Sequence, residues 1–543
     1  MKKSSLLVLS FLLVLSLVLS ACSGGSKETS GEKSKSGDSK KGGTLVYARG
    51  ADSVSLDPIN VTDGESIRVT HEIFETLFEF DGNLELQPKL AESYKTSKDG
   101  LTWTVTLKKG IKFQDGTDFN AEAVVFNFER WMDPKNPYHK GGDFPYYPFL
   151  YGGFKGDPTH KLEYVKAVDD STVEFKLVEK TASFISYLAI PMFGIASPDA
   201  IKKYGEKFGE NPVGTGPFKF KSWSRNETVV LEANENYYVK GKPYLDQLIF
   251  RVIPDNTSRL GSLQSGEADI IDGLNPDDAT VIEKDNKLKL VVRPSFNIGY
   301  AVFNTEKKPF NDVKVRQAIN MAINKKELID AFYNGYAEVA KNPLPPTLWG
   351  YNDKIEDYKY DVDAAKELLA EAGYPDGFKT ELWVMSNPRP YMPQPAKTAE
   401  AIQAQLGKVG IDVKIVSYEW ATYLDKTSKG EHQMGLFGWT GVMADPDNFL
   451  YPNLSSTNAV KPANNRAFYK NEEFTKLLEE SRVTFDQDKR IALYEKAQEI
   501  FHKDAPWVLI GHTTPPIGLA SYVEGFEAHP MENDDFTGVY LNK

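Results

Sequence analysis

The stretch Ala399–Val416, AEAIQAQLGKVGIDVKIV, decides the fold class. Ala399, Ile402, Leu406 and Val409 recur at three- and four-residue spacing, the mark of a helix with one apolar face. Gly410 closes that pattern, and Val413-Lys414-Ile415-Val416 follows at once with the β-branched content of a strand. A helix that feeds directly into a strand is half of a βαβ unit, so the chain reads as α/β. The texture repeats outward. Asp361 precedes Ala364, Ala365, Leu368 and Leu369 at helical spacing, and Gly373 and Pro375 stop that helix. Trp103, Val105 and Leu107 alternate along Thr102–Leu107, as do Val173, Phe175 and Leu177, and Leu248, Phe250 and Val252. No solenoid or propeller period is present, and no low-complexity linker divides the body. A body of this length holds two or three domains. Without a linker, they are expected as lobes joined by short chain crossings, with a ligand site between them.

The N-terminus fixes a compartment. Lys2 and Lys3 precede Leu6–Leu19, which is apolar except for Ser10 and Ser16. This run falls short of the ~20 residues of a membrane span and reads as a signal peptide. Leu19-Ser20-Ala21-Cys22 resembles a bacterial lipobox, in which the cysteine becomes the acylated N-terminus. Cys22 is the only cysteine, so no internal disulfide can form, and acylation accounts for a lone thiol outside the cell. A two-chain lipid anchor holds stably where a single chain is marginal. Residues 23–43, SGGSKETSGEKSKSGDSKKGG, carry no aliphatic or aromatic side chain and read as a flexible tether spanning roughly 25 Å.

The net charge of −12 argues against a nucleic-acid partner. The histidines at 71, 139, 160, 432, 502, 512 and 529 make no HExxH and no close metal-ligand pair. GxSxG and P-loop motifs are absent. Gly214-Thr215-Gly216-Pro217 lacks the third glycine and the helix start of a dinucleotide fingerprint. Asp445-Pro446-Asp447-Asn448 lacks the glycine and distal glutamate of an EF-hand and reads as a turn or helix cap. No catalytic residue, metal or cofactor is expected.

Longer matches then accumulate: Leu56-Asp57-Pro58, Leu90-Ala91-Glu92-Ser93, Phe113-Gln114-Asp115-Gly116, Asn211-Pro212-Val213-Gly214-Thr215-Gly216-Pro217-Phe218 and Val313-Lys314-Val315-Arg316-Gln317-Ala318. From about Gly42 to the C-terminus the chain resembles the family-five extracellular solute-binding proteins of peptide and nickel ABC importers. Pro345–Asp353, Asn387-Pro388-Arg389-Pro390-Tyr391 and Gly438-Trp439-Thr440-Gly441 are similar to the dipeptide-binding branch. The resemblance implies a two-lobed clamp that closes on its ligand. It implies a signal peptide at 1–21, a lipidated tether at 22–43, a first lobe with an inserted subdomain at 44–294, a second lobe at 295–510, and a C-terminal return at 511–543. The implied protein is a lipid-anchored monomer on the outer face of the cell membrane. It would deliver peptides to ABC permease and ATPase subunits and catalyse nothing. The same fold binding a glutathione-like peptide, a metal chelate, haem or an oligosaccharide stays open, as does a secreted hydrolase.

The resemblance also assigns a site. Arg389 stands where dipeptide-binding relatives hold the ligand carboxylate, and an arginine fork suits a carboxylate bidentately. Trp439, Thr440 and Gly441 would wall the pocket beside Tyr391, whereas Tyr418 and Trp420 read first as packing aromatics. Relatives carry an aspartate directly after Gly-Trp-Thr-Gly to meet the ligand's ammonium, but this chain has Val442. Either another carboxylate such as Asp445 takes that place, or the ammonium lies elsewhere, or the ligand has none there.

Overall fold

The computed structural model describes residues 40–543; the leader, Cys22 and most of the tether lie outside the described residues. The deciding stretch folds as a crossover. Strand Lys379–Met385 leads into helix Pro395–Gly407, whose Ala399, Ile402 and Leu406 are buried, and strand Asp412–Tyr418 returns parallel to the first. Gly410, at φ +82°, makes the turn, and a side chain there would collide with the backbone of Asp376. Asp361 caps helix Val362–Glu371 by accepting from the Asp363 and Ala364 amides.

The clamp has two principal sheets. One has seven strands in the order Leu288–Val292, Pro516–Ala520, Ile270–Ile271, Thr44–Arg49, Gln247–Val252, Thr228–Ala233 and Phe218–Ser224. The other has six, Ala337–Val339, Trp507–Thr513, Asn297–Phe303, Met434–Thr440, Lys379–Met385 and Asp412–Tyr418. The chain passes from the first to the second between Val292 and Asn297 and back between Thr513 and Pro516. A four-stranded antiparallel sheet, Ala91–Thr96, Thr102–Leu107, Thr172–Leu177 and Leu162–Asp169, forms the inserted subdomain. Its Trp103, Val105, Leu107, Val173, Phe175 and Leu177 all point into the core, as alternation requires. Leu248 and Phe250 are likewise buried, while Val252 at the strand end keeps partial exposure.

Two of the motifs that carried the resemblance are architectural. The Gln114 carboxamide donates to the carbonyls of Phe218 (2.8 Å), Gly216 (3.1 Å) and Ile73 (3.2 Å), and accepts from the Gly214 amide (3.2 Å). A Cβ at Gly214 or Gly216 would lie 2.2–2.4 Å from the carbonyl oxygens of Ile73 and Glu72. Phe-Gln-Asp-Gly and Gly-Thr-Gly-Pro therefore recognise each other across 100 residues of chain. Among the described residues no helix is long and apolar enough to cross a membrane, and no cluster of His, Cys, Asp and Glu could hold a metal ion.

Candidate functional site

Strands Asn297–Phe303 and Met434–Thr440 pair antiparallel and set Gly299 opposite Gly438. The two glycines leave a trough that the Ser386–Gln394 loop fills. A Cβ at Gly438 would sit 2.1 Å from the Tyr391 ring, and one at Gly299 would sit 2.6 Å from the Tyr391 carbonyl oxygen. Tyr391 is therefore seated between two strands that carry no side chain at that level. Burial pushes its hydroxyl up to about 12, with Arg389 opposing and Glu532 adding to the rise.

The loop is itself ordered. Arg389 and Met392 exchange backbone hydrogen bonds of 3.1 and 2.9 Å, closing a tight bridge that projects the arginine. The Arg389 guanidinium lies 3.9 Å above the centre of the Trp420 ring. Its Nε is buried without a partner, and no carboxylate lies within 4.0 Å of it among the described residues. A half-buried guanidinium stacked on an indole and lacking a counter-ion is placed to accept a planar anion. Trp420, read from sequence as a packing residue, supplies the stacking surface.

Past Thr440, whose main chain pairs with Asn297, the chain turns. Gly441 donates to the Phe296 carbonyl at 3.0 Å, and a Cβ there would strike the rings of Phe296 and Phe449, so only glycine fits. Asn448 gathers the next two groups. Its Oδ1 accepts from the Val442 amide at 3.1 Å and from Trp439 Nε1 at 3.3 Å. Trp439 and Val442 remain half-buried, and valine offers a cation nothing.

Asp445 is differently disposed. It is 3 % exposed, and both of its oxygens accept from Arg490 Nη2 at 2.8 Å. Ser183 of the inserted subdomain donates to it at 3.0 Å, and Tyr494 donates at 3.3 Å. Asp445 Oδ1 also receives the Asp447 amide at 3.0 Å, the turn expected of Asp-Pro-Asp-Asn. The structure thus brings Arg389 and Tyr391 together on one loop and Trp439, Thr440, Gly441 and Val442 together beside it. Asp445 is held in an ion pair facing the subdomain. Neither Ser183 nor Arg490 carried any local sequence signal, because they meet Asp445 from 262 and 45 residues away.

The comparisons agree with this architecture. Residues 85–461 match the family model described as bacterial extracellular solute-binding proteins, family 5, middle region. The chain is 39 % identical over 514 residues to heme-binding protein A of Haemophilus influenzae, covering 92 % of each. It is 39 % identical over 513 residues to the dipeptide-binding protein of Escherichia coli, covering 92 % of this chain and 94 % of that protein. The solved structure of the periplasmic binding protein DppA of Helicobacter pylori with the peptide STSA superposes with a TM-score of 0.82 at 39 % identity, covering 93 % of this chain and 99 % of that one. A dipeptide-binding protein of Pseudoalteromonas with Met-Leu gives 0.83 at 32 % identity, covering 92 % and 100 %.

Proposed function

The chain belongs to the bacterial extracellular solute-binding proteins of family 5, and from that premise we propose that it captures short peptides between its lobes and delivers them to an ABC permease without chemical turnover. The observation that carries this reading is Arg389, a guanidinium stacked on Trp420 with no carboxylate partner among the described residues. A ligand carboxylate completes the pairing, and the strand edges beside it can hold a peptide backbone. Relatives named for dipeptides and di- or tripeptides support the ligand class. In the same proposal, residues 44–294 and 514–543 form one lobe and 295–513 the other, the boundary expected at 510 shifting because strand Trp507–Thr513 pairs within the second sheet; Arg389, Tyr391 and Trp439–Val442 face the ligand, and the mature protein is a monomer anchored through Cys22.

Mass spectrometry of the ligand that co-purifies with the protein tests the ligand class. A peptide supports the proposal, and its titration back should stabilise the protein by about 2.7 kcal/mol at a hundredfold excess over Kd. The relative named for haem makes haem the second reading, and the same spectrum identifies it. Recovery of cleaved peptide from pure protein overturns the binding-only reading. Cys22→Ser should leave the protein unprocessed or released; a processed, membrane-bound variant sinks the anchor assignment.

A further inference from the structure

The inserted subdomain also touches the second lobe, through residues that belong to neither crossing. The subdomain itself is fastened to the first lobe. The Asn127 carboxamide donates to the Ala196 carbonyl at 2.8 Å and accepts from the Ala196 amide at 3.2 Å, and the Arg130 guanidinium forks onto Asp57. Opposite it stands the corner Arg482–Phe485, between helices Glu472–Val483 and Gln487–Asp504 of the second lobe. Arg482 is held on its own lobe by Asp447 at 3.3 Å and by the Tyr451 ring at 4.0 Å. Its carbonyl accepts from the Ala182 amide of the subdomain at 2.7 Å. One residue on, Ser183 donates to Asp445 at 3.0 Å and accepts from Arg490 at 3.2 Å. The Phe485 ring covers the turn at Gly100 and lies 5.9 Å from the ring of Trp103. A Cβ on Gly100 would sit 2.7 Å from the Phe485 ring. Trp103 is 2 % exposed, whereas Phe485, on the rim, keeps 43 %.

Each contact of this corner joins a residue before the outward crossing to one after it, so each must break if the lobes part. None of them involves a solute. The apolar side chains of the subdomain and of the second lobe merge into one buried cluster, separate from the one under the seven-stranded sheet. Burying that apolar surface favours closure whatever occupies the cleft. Residues 484–486 and 97–100 lie outside helices and strands, so the contact can separate without unfolding either side. We propose that the Arg482–Phe485 corner is a latch: it closes on Gly100 and Ala182–Ser183, holds the clamp shut with no solute in the cleft, and must release before a solute can enter. The latch needs the two-lobe division proposed above and no particular ligand.

Hydrogen exchange at the Ala182 amide, read by mass spectrometry on the mature chain carrying Cys22→Ser and emptied by refolding from urea, reports the ratio of latched to open molecules. The empty wild type should protect this amide and scatter X-rays at small angles as the closed structure does. Phe485→Ser removes the ring and leaves the Ala182–Arg482 hydrogen bond in place. Gly100→Asn keeps the left-handed turn, φ +71°, but pushes a side chain against that ring. Each variant should lower Ala182 protection roughly tenfold, the effect of losing one aromatic contact. The Ala196 amide, inside the first lobe, should keep its protection, and the radius of gyration should grow. An Ala182 amide already unprotected in the empty wild type, or protection unchanged in both variants, overturns the latch and leaves the lobe division standing. Equal loss at Ala196 also overturns the latch, because the subdomain has then come loose. Loss at Ala182 with no growth in the radius of gyration overturns both the latch and the lobe division.

Discussion

The Asn297 carboxamide pairs with the main chain of Thr513 as a neighbouring strand would. Asn297 Nδ2 donates to the Thr513 carbonyl at 3.1 Å, and the Thr513 amide donates to Asn297 Oδ1 at 2.9 Å. The Thr513 hydroxyl adds a bond of 3.0 Å to the same oxygen. Asn297 opens the first strand after the outward crossing and Thr513 closes the last strand before the return, so one buried amide fastens the two connections to each other where any opening motion must bend the chain. Asn297→Asp puts an acceptor against the Thr513 carbonyl. We expect it to lower stability by about 1–3 kcal/mol in urea titrations, more than Asn297→Ser does. Unchanged midpoints would mean the pairing is dispensable.

Asp445 and Arg490 form a second buried tie, reached from the subdomain by Ser183. Asp445→Asn leaves a buried guanidinium without its anion and should destabilise the free protein by about 3–5 kcal/mol. Ser183→Ala removes one neutral donor and should take about 1–2 kcal/mol. Peptide affinity, measured below the unfolding transition, should follow neither change selectively. A loss of free-amine peptides alone in Asp445→Asn would instead make Asp445 a ligand group.

Arg389 should behave in the opposite manner. Arg389→Ala should weaken peptide binding by about 2–5 kcal/mol while moving the Tm of the unliganded protein little, because among the described residues no carboxylate pairs with it. Arg389→Lys should recover only part, lacking the planar fork and the stack on Trp420. A large loss of Tm with unchanged affinity would make the residue structural.

His512 supplies a pH dependence. Its ring hydrogen-bonds the Asn297 carbonyl at 2.7 Å, and burial, opposed by that bond, depresses its pKa from 6.5 to about 4. The neutral form is the native one, so its contribution is fully present above 6.5 and is lost as pH falls toward about 4. The loss amounts to at most about 3 kcal/mol. Urea midpoints of the wild type should fall between pH 7 and 5, and His512→Gln should fall less. Parallel curves for the two proteins would assign the acid sensitivity to other groups, His432 foremost, since burial takes it to about 3.

Much of the fold could be read from periodicity, because helix and strand faces repeat over a few residues and burial follows them. The crossover through Ala399–Val416 and the alternating strands of the subdomain are cases where the apolar spacing and the folded faces coincide. The short motifs proved informative about different things. Gly-Trp-Thr-Gly and the Arg389 loop converge on one place, while Phe-Gln-Asp-Gly and Gly-Thr-Gly-Pro turned out to be partners in packing. Composition and residue order thus set the class of fold, and the family resemblance set where to look for the site. Which carboxylates are spoken for could be settled only by the tertiary structure. Asp445 and Glu532 are both acids, but among the described residues one pairs with an arginine 45 residues away and the other makes no ion pair. Ion pairing acts over a few ångströms, and distance along the chain says nothing about separation in the folded protein.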